Sequence, residues 1–297
     1  MVSGAPTVLF CAGAVKAGTT WLWDYLADHP EAHLRTIKEL QYFDKLAAGT
    51  LTHRARRIGK EIDDLDAELA GGKARWPAWL IRQIADRVEY QNLLTSGPDP
   101  TAAYLRYLTA GATGKRLVAD MTPEYGLLAP DRMRALARLL PDVRWVFLMR
   151  DPVSRLWSHV RMLVRRTKPA PEAFAAACAT KFDDVLAGRA ADVVARGDYA
   201  GIHARLVDSV AADKRLVLFY EQLITPDGVA RVCGFLGLSA HPAKLDKVVH
   251  EGVAVDMPEA LRHRARDWLR PQYEFVAQSF GLPAEWESFP GLQRAVA

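Results

Sequence analysis

The sequence has few cysteines, no long apolar run and no marked charge imbalance, and each shortage removes a class of protein. Its three cysteines, Cys11, Cys178 and Cys233, are odd in number, far apart and without a C-x-x-C pair. They make neither a disulfide framework nor a zinc site, and they suit a reducing cytoplasm. The early apolar stretch Val8 to Val15 carries no basic leader and is far too short to cross a bilayer, and no longer run follows it. Neither a signal peptide nor a transmembrane segment is therefore expected. The net charge of +4, from 39 basic and 35 acidic residues, is too small to indicate a nucleic-acid partner, although it suits a ligand bearing several phosphates. Repeats, low-complexity tracts and obvious linkers are also missing, so residues 1–297 are expected to form a single domain. Half of the residues are hydrophobic and a quarter charged, the profile of a soluble globular enzyme.

What is present is an alternation of strand and helix patterns. Thr7 to Gly13 is a continuous apolar run closed by glycine, which predicts a buried strand. A helix is predicted from Thr19 or Thr20, carrying Trp21, Leu22, Tyr25 and Leu26 inward and stopping at His29 and Pro30. Three more short runs, Arg116 to Ala119, Val143 to Met149 and Arg215 to Phe219, read as strands, with helical stretches at 129–140 and 199–210 between them. Residues 53–112 place Ile58, Ile62, Leu65, Leu69, Leu80, Ile84 and Val88 at three-to-four spacing, a helical insertion that serves as a lid or faces the acceptor. The expected fold is α/β, with a central parallel sheet of the P-loop type and helices on both faces.

The first chemical signal lies between the first strand and the first helix. Gly13-Ala14-Val15-Lys16-Ala17-Gly18-Thr19-Thr20 has the G-x-x-x-x-G spacing of a phosphate loop. Glycines let the backbone approach an anion, and the helix amino terminus adds N–H donors and positive potential. In an ATP-binding loop a lysine follows the second glycine. Here that place holds Thr19 and the lysine comes earlier, at Lys16. From the loop entrance its ammonium can neutralise the oxygen that bridges a 5′-phosphate to its leaving partner, and magnesium is not obligatory. The second signal is Phe147-Leu148-Met149-Arg150-Asp151-Pro152 and on to Ser158, where Arg150 ends a strand, Asp151 can cap a helix and Pro152 suits its first turn.

With these residues in view, the chain resembles the sulfotransferase family. The stretch from Lys16 to Leu22 is similar to the family's 5′-phosphosulfate loop, and Phe147 to Ser158 to its second signature. Lys38 to Asp44 is similar to the K-E-x-x-[FY]-F-D segment of the bacterial and heparan sulfate branch. The resemblance continues through Asp120 to Tyr125, Arg196 to Tyr199, Tyr220 to Leu223, Phe235 to Leu238 and a late arginine-rich helix ending near Trp286. It implies a sulfuryl donor, 3′-phosphoadenosine 5′-phosphosulfate (PAPS), held by Lys16, Ala17, Gly18, Thr19, Thr20 and Trp21, with Arg150 and Ser158 on the 3′-phosphate. Arg155 is expected to support this region by ion pairing.

The resemblance also implies Glu39 as the general base, while Lys16 acts on the leaving oxygen. His159 and Asp120 are lesser candidates, Asp120 also as a metal-holding aspartate of the NTPase kind. Two departures from the heparan-type pattern stand out. Met121 replaces a lysine near the acceptor, and His250 to Asp256 does not match the basic cap loop. Acceptors range over small molecules, sugars and lipids, and Trp76, Trp79, Tyr104 and Tyr107 either line that site or belong to the core. A P-loop kinase would account for the loop, the sheet and Asp120 but not for Thr19 in the lysine position. A non-catalytic module would bind the bisphosphate product without turnover.

Overall fold

Five parallel strands are the frame on which every candidate residue hangs. The structure, a computed structural model, describes residues 4–72, 74–96, 100–246 and 255–286. Along the chain the elements are β1 (Thr7–Cys11), α1 (Thr19–Asp28), β2 (Ala32–Leu34), α2 (Tyr42–Ala47), α3 (Leu51–Ala70), α4 (Pro77–Thr95), α5 (Pro100–Thr109), β3 (Leu117–Asp120), α6 (Pro130–Ala137) and β4 (Val143–Met149). There follow α7 (Pro152–Arg166), α8 (Phe174–Leu186), α9 (Ala191–Ala195), α10 (Tyr199–Ser209), β5 (Arg215–Phe219), α11 (Tyr220–Leu223), α12 (Pro226–Leu236), α13 (Glu259–Trp268) and α14 (Arg270–Phe280).

The strand order is β2-β3-β1-β4-β5, with Phe10 opposite Asp120 on one side and Trp145 on the other. The four predicted strands appear within a residue or two of their expected bounds. β2 was not expected, because three residues with a histidine in the middle give no apolar run, yet Ala32 and Leu34 pair with Leu117 and Ala119. Residues 145 to 149 are buried without interruption, so both faces of β4 are covered, as a parallel sheet between helices requires. Burying each such large apolar side chain contributes about 1.5–3 kcal/mol, and one continuous cluster runs from the strands into the helices.

The predicted insertion is built from α3, α4 and α5. Its helices do not stand apart from the sheet. Arg54 of α3 donates from Nη2 to the Glu39 carbonyl at 2.8 Å and from Nε to the Leu40 carbonyl at 3.3 Å. The Tyr90 hydroxyl of α4 donates to the same Leu40 carbonyl at 2.5 Å, and Asp86 accepts from the Thr36 N–H at 2.5 Å and the Arg35 Nε at 2.6 Å. The insertion therefore grips the segment 35–40 that follows β2.

Candidate active site

In a parallel sheet the carboxyl ends of the strands share one edge, so the loops after β1, β3 and β4 meet there. After β1 the chain passes through Gly13 at φ 100°, Lys16 at φ 70° and Gly18 at φ 93°, three left-handed residues within six positions. Gly18 is the N-cap of α1 and no side chain caps this helix. The N–H groups of Thr19, Thr20 and Trp21 in its first turn thus have no intrahelical partner and no cap. A β-carbon on Gly18 would collide with the ring of Tyr220, so only glycine fits both the dihedral and the space. Ala17 and Trp21 are buried, Trp21 stacking on Tyr25 at 5.9 Å between centroids.

Positive charge gathers at this loop. Burial pulls the Lys16 ammonium below its ordinary pKa, and Arg165, Arg150, Lys38 and Arg161 pull it further in the same direction. A lysine crowded by four cations is a site that an anion would relieve. Arg150 extends from the end of β4 with its guanidinium 5.1 Å from the ring centroid of Tyr220, the ring that packs on Gly18. Ser158 is half-buried on α7, on the face shared with Arg161 and Arg165. Those two arginines were not singled out from the sequence. Their i+3 and i+7 spacing from Ser158 was the available signal.

The second motif is braced by the later family segments. Asp151 caps α7, accepting the Ser154 N–H at 2.8 Å, and takes a second bond from the Tyr273 hydroxyl at 2.6 Å. Tyr199, of the Arg196 to Tyr199 segment, donates to the Arg150 carbonyl at 2.6 Å. Glu221 accepts from the Asp151 N–H at 3.5 Å and from the Trp286 indole at 2.9 Å.

Glu39 lies in the turn between β2 and α2, and Lys38 joins it to the loop. The Lys38 ammonium donates to Glu39 Oε1 at 2.9 Å and to Thr19 Oγ1 at 3.5 Å. The carboxylate side chain keeps 39% of its surface exposed, so an acceptor can reach it. Glu124, after β3, is a further carboxylate here that the sequence did not single out. Burial raises its pKa and the nearby Glu39 charge adds to this, while Arg196 stands 3.5 Å away.

Most of the lesser candidates lie in the core. Asp120 is fully buried and saturated by the hydroxyls of Thr122 (2.6 Å), Tyr125 (2.7 Å) and Tyr104 (2.8 Å), so it faces neither a metal nor an acceptor. His159 is 1% exposed, and burial, reinforced by Arg155, pushes it down to about 3, which keeps the imidazole neutral. Among the described residues Arg155 has no ion-pair partner. Its guanidinium is buried against Gly197, with Nε and Nη1 lacking hydrogen-bond partners. Tyr104 and Tyr107 are core residues, bonded to Asp120 and Asp86. Trp76 and Trp79 are exposed, with Arg75 and Arg82 over their rings. Residues 250–254 of the segment compared with a cap loop lie outside the described residues.

No curated protein sequence matches the chain. The crystal structure of a sulfotransferase from Alicyclobacillus acidocaldarius is similar at 21% identity and TM-score 0.59, over 98% of this chain and all of that one. A sulfotransferase domain from the curacin biosynthetic pathway is similar at 16% identity and TM-score 0.49, over 90% of this chain and 99% of the domain. The first of these likenesses is one of fold. The pattern that describes the sulfotransferase family matches residues 6–242, and the chain belongs to that family.

Proposed function

We propose that this sulfotransferase takes its sulfuryl group from PAPS and passes it, in line and without an obligatory metal, to a hydroxyl or amine of a small-molecule, sugar or lipid acceptor. The observation that carries the reading is the link Thr19–Lys38–Glu39, in which one ammonium touches both the phosphate loop and the candidate base. The uncapped first turn of α1 and the cations around Lys16 fit a donor with several anionic groups. PAPS supplies the sulfuryl group on a 5′-phosphate that leaves as adenosine 3′,5′-bisphosphate. Residues 16–21 hold the 5′ end through backbone N–H groups and the Thr19 and Thr20 hydroxyls, while Arg150 and Ser158 hold the 3′-phosphate, joined by Arg161 and Arg165. Lys16 stands where negative charge grows as the bridging bond breaks, and a charged group already in place there lowers the barrier.

Glu39 removes the acceptor proton, and Lys38 holds that carboxylate toward the loop. With Met121 buried, no lysine side chain stands at that position to meet an acidic glycan. All three thiols are buried and unpaired, and among the described residues no helix is long and apolar enough to cross a membrane. On this ground we place the enzyme in a reducing cytoplasm. The test is a screen of acceptors grouped by class, with PAPS as donor and sulfated product read by mass spectrometry. Product from wild type and none from Lys16→Ala supports the proposal. Transfer from magnesium ATP, with none from PAPS in any acceptor class, overturns it.

A further inference from the structure

Glu39 is useful as a base only if its backbone is fixed, and a loop between a three-residue strand and a six-residue helix is a weak support. We propose that Asp120 is a positioning residue for the 39–43 segment, acting through the hydroxyls of Thr122 and Tyr125 on the backbone amides of residues 41 to 43. The inference rests on the reading of Glu39 as base given above.

Asp120 ends β3 and is fully buried. An ionised carboxylate only accepts hydrogen bonds, so each hydroxyl that touches it must spend its single proton there. Thr122 gives its proton to Oδ1, at 2.6 Å, and Tyr125 gives its own to Oδ2, at 2.7 Å. Both oxygens are left with lone pairs alone, which turns them into acceptors. Thr122 Oγ1 accepts the Gln41 N–H at 3.1 Å, and the Tyr125 hydroxyl accepts the N–H groups of Tyr42 at 3.1 Å and Phe43 at 3.4 Å. The carboxylate thus sets the direction of two hydrogen-bond chains that end on three consecutive amides.

Those amides need partners. Gln41 turns the chain at φ 56°, and α2 starts at Tyr42 with no side-chain cap of its own. Tyr125 satisfies first-turn donors that would otherwise be orphaned in a buried place. From the opposite side Arg54 and Tyr90 hold the carbonyls of Glu39 and Leu40. Residues 39 to 43 are therefore gripped through carbonyls by the insertion and through amides by the end of β3, leaving the Glu39 side chain directed to Lys38. Displacing a reacting group by about 1 Å can cost on the order of a hundredfold in rate, so this grip has a catalytic consequence.

The experiment uses the full chain with Tyr125→Phe and Thr122→Val, which disturb the network less than Asp120→Asn. Each is measured for kcat, KM and bisphosphate affinity, alone and combined with Glu39→Gln, and amide hydrogen exchange is followed over residues 41–43. Tyr125→Phe is expected to lower kcat by about tenfold to a hundredfold, to leave donor KM and bisphosphate affinity within about twofold, and to speed exchange at residues 42 and 43. In the Glu39→Gln background it is expected to cause no further loss, because the relay acts through that carboxylate. A loss equally large in both backgrounds, or unchanged exchange at residues 41–43 in both single variants, overturns the relay. Full turnover by Glu39→Gln instead overturns the base assignment on which the inference rests, a separate result read from a separate variant.

Discussion

The ring of Tyr220 fills the space that a side chain on Gly18 would need, so the residue after β5 and the last glycine of the loop after β1 are fitted to one another. The opposite consequence of the same ring is that Arg150 rests over it, 5.1 Å from its centroid, which ties the second motif to the first. Gly18→Ala meets two obstacles, a left-handed φ of 93° and the ring itself. The variant is expected to lose about 1–3 kcal/mol of stability and to bind bisphosphate on the order of tenfold more weakly or worse. Adding Tyr220→Ala should relieve the collision and not the dihedral, so calorimetry and thermal melting are expected to show partial recovery. Full recovery would leave no role for the left-handed backbone.

Lys16 gives a prediction with a sign in pH. Burial and four neighbouring cations lower its pKa, so the free protein gives up this proton at a lower pH than an ordinary lysine. A bound phosphate reverses the pull, and binding should take up protons at pH values between the lowered pKa and the ordinary one. Bisphosphate affinity should then decline as pH rises through that window. Titrations in buffers of different ionisation enthalpy measure the uptake, which Lys16→Ala should abolish. The same variant is expected to lower turnover by on the order of a hundredfold or more, while EDTA changes little.

The two motifs were legible in the sequence because each is contiguous and each straddles a strand end and a helix start, where an apolar run, glycines and a capping Asp151 leave a local signature. The four long strands were legible for the same reason. What could not be read was pairing across distance. Asp120 looked like a free acid at a strand end, and only the fold brings Tyr104, 16 residues earlier, to within 2.8 Å. Arg54 carried no sign that its target was the carbonyl of residue 39. Arg155 suggested an ion pair, yet among the described residues no carboxylate pairs with its buried guanidinium beside Gly197. Arg161 and Arg165 lie on a helix whose rotation toward Lys16 is set by the burial of its other face, not by local pattern.

His159 predicts a feature of acid unfolding. Its pKa is held at about 3 in the folded chain, so as pH falls below 6.5 the unfolded chain takes up a proton that the folded one refuses. Its contribution to stability is intact above 6.5 and is lost as the pH falls toward 3, by up to about 1.4 kcal/mol per pH unit. Asp120, raised to about 6, works in the opposite sense, so the readout is a difference between two profiles. Denaturant titrations of wild type and His159→Gln between pH 6 and 4 should show the steeper fall in wild type. Parallel profiles would mean that His159 is protonated in the folded protein.

Glu39→Gln keeps the size of the side chain and its capacity to bond Lys38, but it cannot accept the acceptor's proton. With a hydroxyl acceptor, turnover should fall on the order of a hundredfold or more while bisphosphate affinity and melting temperature hold. An amine acceptor should be less sensitive, since a neutral amine attacks before losing its proton. Near-normal turnover with a hydroxyl acceptor would send the search to Glu124, the other carboxylate beside Glu39.

On the proposed function the site takes a nucleotide with a 3′-phosphate, and isothermal calorimetry with adenosine 3′,5′-bisphosphate and with AMP tests this before any acceptor is known. Charge-assisted bonds from Arg150 and its neighbours predict bisphosphate binding tighter by about tenfold to a hundredfold, a preference that Arg150→Ala erases while AMP affinity barely moves. Equal affinities of the wild-type protein for the two nucleotides would contradict the claim.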